Sequence, residues 1–497
     1  MARLLRPFSL GFVLVSLIAG TAAADPISSR LAPGEGKRVT VEVAAQTAPL
    51  GMISPNLYLN RCTGGCVIHG GATSDARTQQ SSIPGPGDYT ITEFASEAGM
   101  TGAAADADWA KVVQCMKEVY SPFAVTVSDT KPAGGASYTE AIIAGNPSEI
   151  QLNGGILGIA PLAGDCSPQD NVISFSFANH HGGTGQPRIW DICWTAAQES
   201  AHAFGLDHEV QFSDGTSACN DPMTYNIVKP CGGERFFRNK PASCGEDTIR
   251  QCRCGGSQNS HSKILAVFGA GQSIVPAPTS SIILPADQAT VTKGFTVQVS
   301  SGSARGVAKV ELWLNGYNWA TQQGAAYGGA GQPNPSTYAL TAPANVPDGV
   351  IDVVAKAYDD LNIETDSTMI TVTKGAPCAT AASCLDGQKC EAGKCFWDPP
   401  AGVLGNDCTY PQFCISGQCD GPDGAKICTQ DCVVSATDSC PPGYDCISTS
   451  QTGGICYTQG QSSGCCSVDH ESSHAIWVHA GLGALVIGLV LRRRRRR

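Results

Sequence analysis

The stretch Trp194-Thr195-Ala196-Ala197-Gln198-Glu199-Ser200-Ala201-His202-Ala203-Phe204-Gly205-Leu206-Asp207-His208-Glu209, with Asp221-Pro222-Met223-Thr224-Tyr225 after it, concentrates the chemistry of this chain. Positions 198 and 202 fall one helical turn apart, so their side chains leave the same face and can converge on one ion. Glu199 stands beside them, where a carboxylate can hold a water that the ion activates. Gly205 can take the left-handed conformation that ends a helix, and the turn it permits brings His208 back toward the same point. The spacing predicts a helix from about Ile192 to Phe204, stopped by Gly205.

These residues resemble the metzincin metalloproteases, whose motif is His-Glu-x-x-His-x-x-Gly-x-x-His with a methionine turn downstream. Every position matches except the first, where Gln198 stands for histidine. Chance places Glu, His, Gly and His at these offsets in roughly one chain in a thousand of this length. The resemblance implies an α/β (α+β) zincin domain with Zn2+ as cofactor and an extracellular protein or peptide as substrate. It implies Glu199 as general base, His202 and His208 as zinc ligands, Gly205 as the structural turn and Met223 as the floor under the metal. Tyr225 matches the tyrosine that some metzincins place near the reaction intermediate.

Gln198 offers only a neutral amide oxygen, a weaker donor than imidazole. Three arrangements stay open at this point. Gln198 ligates through oxygen in a weakened site, another histidine (His180, His181 or His69) completes the shell, or metal binds poorly and the domain is a recognition module. His180 and His181, before a Gly-Gly-Thr-Gly run, read otherwise as a solvated loop, and His261 as a capping or packing residue. Calcium would suit the many aspartates, although no clean loop motif marks a site.

The two ends address the chain to a surface. Arg3 and Arg6, the apolar run Leu10 to Ala19 and the small residues Ala22-Ala23-Ala24 form a signal peptide over residues 1–24, with Asp25 as the expected mature start. At the other end Ala475 to Leu491 carries no charge and precedes the arginines 492–497, which predicts a transmembrane tail with a cytoplasmic basic block. With Cys465-Cys466 ahead of it, this tail resembles the C-terminal sorting tails of myxobacterial surface proteins. The resemblance implies processing near a cysteine that becomes available for lipid attachment. Of 32 basic residues, two lie in the leader and six in the arginine block, so 24 face 43 acidic ones, a net charge near −19. So acidic a surface argues against a nucleic-acid partner.

Twenty-four cysteines behind a signal peptide indicate a disulfide framework, and their distribution maps the domains. Ten fall between Cys62 and Cys254, none from Gly255 through Pro377, and twelve between Cys378 and Cys456. The expected order is a metzincin-like head over 25–272, a Pro-rich linker over 273–281 and an all-β domain over 282–375. Disulfide-rich repeats over 376–460 and the tail over 461–497 complete it. Cys62 and Cys66 are expected to pair, and Cys193 to be half of a structural disulfide. In the head a helix is expected from Asp106 to Tyr120, with strands at Ala124–Val127, Ile156–Ile159 and Val172–Phe177. Alternating runs at Phe295–Val299, Val310–Leu314, Ile351–Tyr358 and Met369–Val372 make the cysteine-free domain resemble a bacterial immunoglobulin-like sandwich, read as a spacer. In the repeats, Cys384-x5-Cys390-x4-Cys395 recurs as Cys408-x5-Cys414-x4-Cys419. Units so small need disulfides in place of a core.

The functional expectation is a cell-surface zinc endopeptidase. Its alternative is a catalytically weak or inactive pseudoprotease that serves in adhesion or recognition.

Overall fold

Three segments of the head are buried at every position: Thr139–Ile143, Ile156–Ala163 and Ile173–Ser176. Continuous rather than alternating burial is what strands covered on both faces require. The computed structural model describes residues 30–32, 35–45, 53–225, 234–324, 335–434, 439–450 and 453–458. The expected leader (1–24) and tail (461–497, with Cys465, Cys466 and the arginine block) lie outside them. Among the described residues no helix is long and apolar enough to cross a membrane.

In chain order the head contains β1 (Lys37–Val43), β2 (Asn56–Asn60), β3 (Cys66–Gly70), β4 (Gln80–Ser81), β5 (Gly87–Ile91), α1 (Asp106–Tyr120), β6 (Thr126–Ser128), β7 (Thr139–Ile143), β8 (Ile156–Ala163), β9 (Ile173–Ser176), α2 (Gly185–Ala203), β10 (Glu209–Phe212), β11 (Ala242–Cys244) and α3 (Ser260–Phe268). Its main sheet has the order β1-β8-β9-β7-β2-β6. Strands β9, β7, β2 and β6 run parallel, β8 runs antiparallel to β9, and β1 pairs parallel to β8. Successive residues of β7 point to opposite faces. Ala141 and Ile143 join α1 and α2 in one core, while Ile142 joins Ile68, Tyr89 and Ile91 of the small β4-β3-β5 sheet in another.

The helix expected from Asp106 to Tyr120 spans those residues, and Cys115 on it is bonded to Cys193 on α2, as Cys62 is to Cys66. Helix α2 starts at Gly185, well before the expected Ile192, because Pro187 is tolerated in a first turn and Ile189 extends the buried stripe. The strand expected at Ala124–Val127 is displaced to Thr126–Ser128, where pairing with β2 begins. His261 packs against Phe123, ring centroids 5.0 Å apart, in keeping with a packing role.

The cysteine-free domain contains β12 (Ser281–Leu284), β13 (Thr290–Val291), β14 (Thr296–Ser301), β15 (Lys309–Leu314), β16 (Tyr317–Gln323), β17 (Ser336–Thr341), β18 (Gly349–Tyr358), β19 (Glu364–Asp366) and β20 (Ile370–Lys374). They form two sheets, β12-β14-β17 and β13-β20-β18-β15-β16, with β19 on β18. Alternation along β18 sends Ile351, Val353, Ala355 and Ala357 into the shared core.

This domain is docked on the head, which modifies the spacer reading. Val275, in the expected linker, is buried in the head's core, and Ala304 packs against it. Arg238 of the head donates to the Arg305 carbonyl (2.7 Å) and to Asp360 (3.1 Å), and Arg305 meets the same carboxylate at 2.6 and 2.8 Å. All three of these side chains are sealed from solvent.

From Cys378 onward the chain forms a separate unit. Its pairings are Cys378–Cys390 with Cys384–Cys395, Cys408–Cys419 with Cys414–Cys428, and Cys432–Cys446 with Cys440–Cys456. Each repeat therefore joins its first cysteine to its third and its second to its fourth. That crossed pattern needs four cysteines per repeat, where spacing alone suggested three. The clustered sulfurs are consumed in disulfides, which removes them as metal ligands.

Candidate metal centre

Helix α2 and the turn after it bring His202 and His208 together. Gln198, Glu199 and His202 are fully buried on α2, and His208 is nearly so. Gly205 has φ +86, and a Cβ there would overlap the carbonyl oxygen of Cys166, so both conformation and space demand glycine. Gly205→Ala is accordingly expected to destabilise the head by about 2–4 kcal/mol, read as a drop in urea midpoint. A shift below about 0.5 kcal/mol would refute that account.

The turn places His202 Nε2 and His208 Nε2 3.1 Å apart. His202 Nδ1 lies 2.7 Å from the Leu206 carbonyl, which can only accept, so Nδ1 carries the proton. His208 Nδ1 lies 3.1 Å from a Glu246 carboxylate oxygen and donates in the same way. Each Nε2 is thereby left with its lone pair, and the two nitrogens face each other at 3.1 Å. Burial first, and then the charge of His208, holds His202 down to about 3, so its imidazole is neutral and able to ligate near neutral pH. Two zinc-bound nitrogens at about 2.0–2.1 Å lie about 3.3 Å from each other in a tetrahedral site, close to the separation found here.

Gln198 Nε2 donates to the Thr224 carbonyl at 3.2 Å, leaving Gln198 Oε1 buried without a partner. Glu199 has both carboxylate oxygens buried without partners, and burial raises its pKa well above the usual carboxylate range, against a smaller opposing effect of Arg38. Buried acceptors without partners on the helix that bears His202 are groups that a cation would satisfy. On this chemistry the residues fit zinc, with Gln198 Oε1, His202 Nε2 and His208 Nε2 as the atoms that would hold it.

The methionine turn is joined to both arms of the site. Glu209 donates its amide to the Met223 carbonyl (2.9 Å), and Thr224 is the residue that receives Gln198. Met223 is fully buried, and its own amide is held by Asp221 Oδ1 at 2.8 Å. Tyr225 lies against His208, with ring centroids 5.1 Å apart.

The other histidines have different partners. His69 bonds Asp88 at 2.7 Å on the small sheet, and His180 Nε2 lies 2.6 Å from the Gly154 carbonyl. His181 Nδ1 is held by Asp191 Oδ2 at 2.8 Å. Both His180 and His181 are buried, which corrects the solvated-loop reading: the Gly-Gly-Thr-Gly run follows them, but the pair itself is enclosed by the fold.

Sequence reasoning missed Glu246 and Arg38. Glu246 is presented by the loop after β11, closed by the Cys244–Cys252 disulfide, and Arg250 bridges it to Asp207 with contacts of 2.7 Å to each. No local motif marks it. Arg38 donates to Thr195 Oγ1 and Asp191 Oδ1, each at 2.8 Å. A signal for this existed: Asp191, Thr195, Gln198 and His202 share one helix face, and a buried polar stripe there calls for a partner.

Residues 278–349 match the family of the bacterial Ig domain, within the two-sheet domain described above. No curated protein matches this chain. Among solved structures, the fibronectin(III)-like modules of Clostridium thermocellum CbhA show 19% identity over 20% of this chain and 96% of theirs, at TM-score 0.15. CopC from Methylosinus trichosporium OB3b shows 17% identity over 20% of this chain and 94% of its own, at TM-score 0.14. A Jonesia denitrificans lytic polysaccharide monooxygenase shows 16% identity over 18% of this chain and 60% of its own, also at TM-score 0.14. Likenesses of this extent carry no argument about the site.

Proposed function

We propose that the head is a zinc-dependent endopeptidase of metzincin type, exported and held at the cell surface by the C-terminal tail. The observation that carries this reading is the pair of imidazole Nε2 atoms 3.1 Å apart, with Gln198 Oε1 and the Glu199 carboxylate buried without hydrogen-bond partners on the helix that bears His202. The sheet order and the antiparallel β8 beside the helix that bears the motif support it. So do the ten disulfides formed among the described residues, which suit an oxidising compartment.

Bound zinc would supply an electrophile for the scissile carbonyl and acidity for a water. The chain's own residues do the rest. Glu199 takes the water's proton and returns it to the leaving amine. Tyr225 offers its hydroxyl to the oxygen that gains charge. The Leu206 carbonyl and Glu246 hold the two imidazoles in the ligating tautomer. A recognition module is the second reading, favoured by glutamine in the first ligand position.

Metal analysis of the full chain tests the proposal. Near-stoichiometric zinc with hydrolysis that a chelator abolishes and zinc restores is the expected result, whereas zinc-free protein at micromolar free zinc would refute it. Gln198→His is expected to tighten zinc binding at least tenfold in equilibrium dialysis, because imidazole replaces a neutral amide oxygen. Unchanged or weaker binding would show that Gln198 is not a ligand.

A further inference from the structure

Helix α2 ends at Ala203 and β10 starts at Glu209, which leaves His208 on the turn between them. His202 has the backbone of α2 to hold it, and His208 lacks that support. A side chain carried by a turn is only as well placed as the bonds that fix the turn.

Those bonds come from one later segment. Lys263 of α3 donates its ammonium to the Gly205 carbonyl, and Gln258, two residues before α3 begins, reaches Asp207. Gln258 Oε1 accepts from the Asp207 amide (2.7 Å), while Gln258 Nε2 donates to the Asp207 carbonyl (2.8 Å) and to Glu209 Oε1 (3.0 Å). One amide group thus answers both backbone groups of Asp207, as a neighbouring strand would, and grips the residues on either side of His208. Gln258 is itself buried and fixed, since its own backbone amide and carbonyl pair with Ala242 of β11 at 2.9 and 2.6 Å. Glu246 meets the imidazole of His208, whereas Gln258 holds the backbone that carries it.

We infer that Gln258 is a positioning residue of the metal centre: by clamping Asp207 and Glu209 it sets the place of His208 Nε2 opposite His202 Nε2, and metal affinity depends on it. The inference rests on the proposed reading of His208 as a ligand, so its test reads metal binding and backbone exchange rather than hydrolysis. Zinc affinity of the full chain is measured by competition with a chelator for the parent, Gln258→Met and Ile142→Val. Methionine keeps the length of the arm and removes both its donor and its acceptor. Ile142→Val loosens the core on the other face of the main sheet and touches none of these bonds. Expected is zinc binding weaker by about tenfold or more in Gln258→Met, the usual effect of losing a partner that orients a ligand, with Ile142→Val within about threefold of the parent. Gln258→Met within about threefold of the parent, or an equal loss in Ile142→Val, would overturn the inference and leave the protease reading in place.

Hydrogen exchange in the metal-free protein reads the same clamp. The amides of Asp207 and Glu209 are expected to exchange about tenfold faster or more in Gln258→Met, with those of β7 and β9 unchanged. Should Gln258→Met not fold, Gln258→Asn, which keeps the amide and shortens its arm by one methylene, is measured in the same two ways with the same expected and opposing results. A parent that binds no zinc would remove the protease reading, and exchange alone then decides: faster exchange at Asp207 and Glu209 keeps Gln258 as the clamp on His208, and unchanged exchange refutes it.

Discussion

Glu199→Gln is expected to lower peptide hydrolysis by about 10²–10⁴-fold, the usual worth of a positioned general base, while zinc content stays that of the parent. The substitution keeps the shape of the side chain and removes only its ability to take a proton. Space is tight enough to make shape matter, since Gly158 lies against this carboxylate and Glu199 is fully buried. Because Glu199 is not among the atoms that would hold the metal, equilibrium dialysis should find the same affinity in both proteins. Hydrolysis retained within threefold would mean that another group activates the water, and loss of zinc together with activity would mean that the residue acts on the structure of the site.

Asp360→Asn is expected to destabilise the unit formed by the head and the sandwich by about 3–5 kcal/mol at neutral pH, because it removes the buried carboxylate that Arg238 and Arg305 share. The parent arrangement is stable because one carboxylate serves both guanidiniums, with the Arg305 carbonyl taking another proton of Arg238. Burial works to raise the Asp360 pKa, but the two arginines prevail and hold it below the usual carboxylate value. A depressed folded-state pKa means that this stabilisation is present above the unfolded value of 3.8 and disappears as pH falls through the folded one. The difference between variant and parent should therefore be constant from pH 8 to about pH 5 and shrink below about pH 4. Urea titrations at pH 7 and pH 3 measure both arms. A loss under 1 kcal/mol at pH 7, or a loss that grows toward pH 3, would contradict the buried-triad account.

Much of the site was legible because its spacing is local. Gln198, Glu199 and His202 are brought together by the period of one helix, and Gly205 by a backbone conformation that disfavours other residues. The long helix Asp106–Tyr120 and the strands of the sandwich could be read for the same reason, since each presents its buried face at a fixed period. Glu246 was not legible. It reaches His208 across 38 residues on a loop whose position depends on the Cys244–Cys252 disulfide and the salt bridge of Arg250 to Asp207. Arg38 was hidden in the same way, 153 residues from its partner Asp191.

By itself the sequence determined the helix that carries the motif, the turn that follows it, the division of the chain by cysteine content and the two-sheet domain, because all of these follow from periodicity and composition within short windows. Only the tertiary structure decided which proton each imidazole carries, which strand lies along the edge of β8, how each repeat crosses its disulfides, and that the sandwich is docked by a buried ion triad. Those outcomes depend on which distant groups meet in the dark of the interior, where an unpartnered charge or lone pair is costly and has to be answered by whatever the fold brings to it.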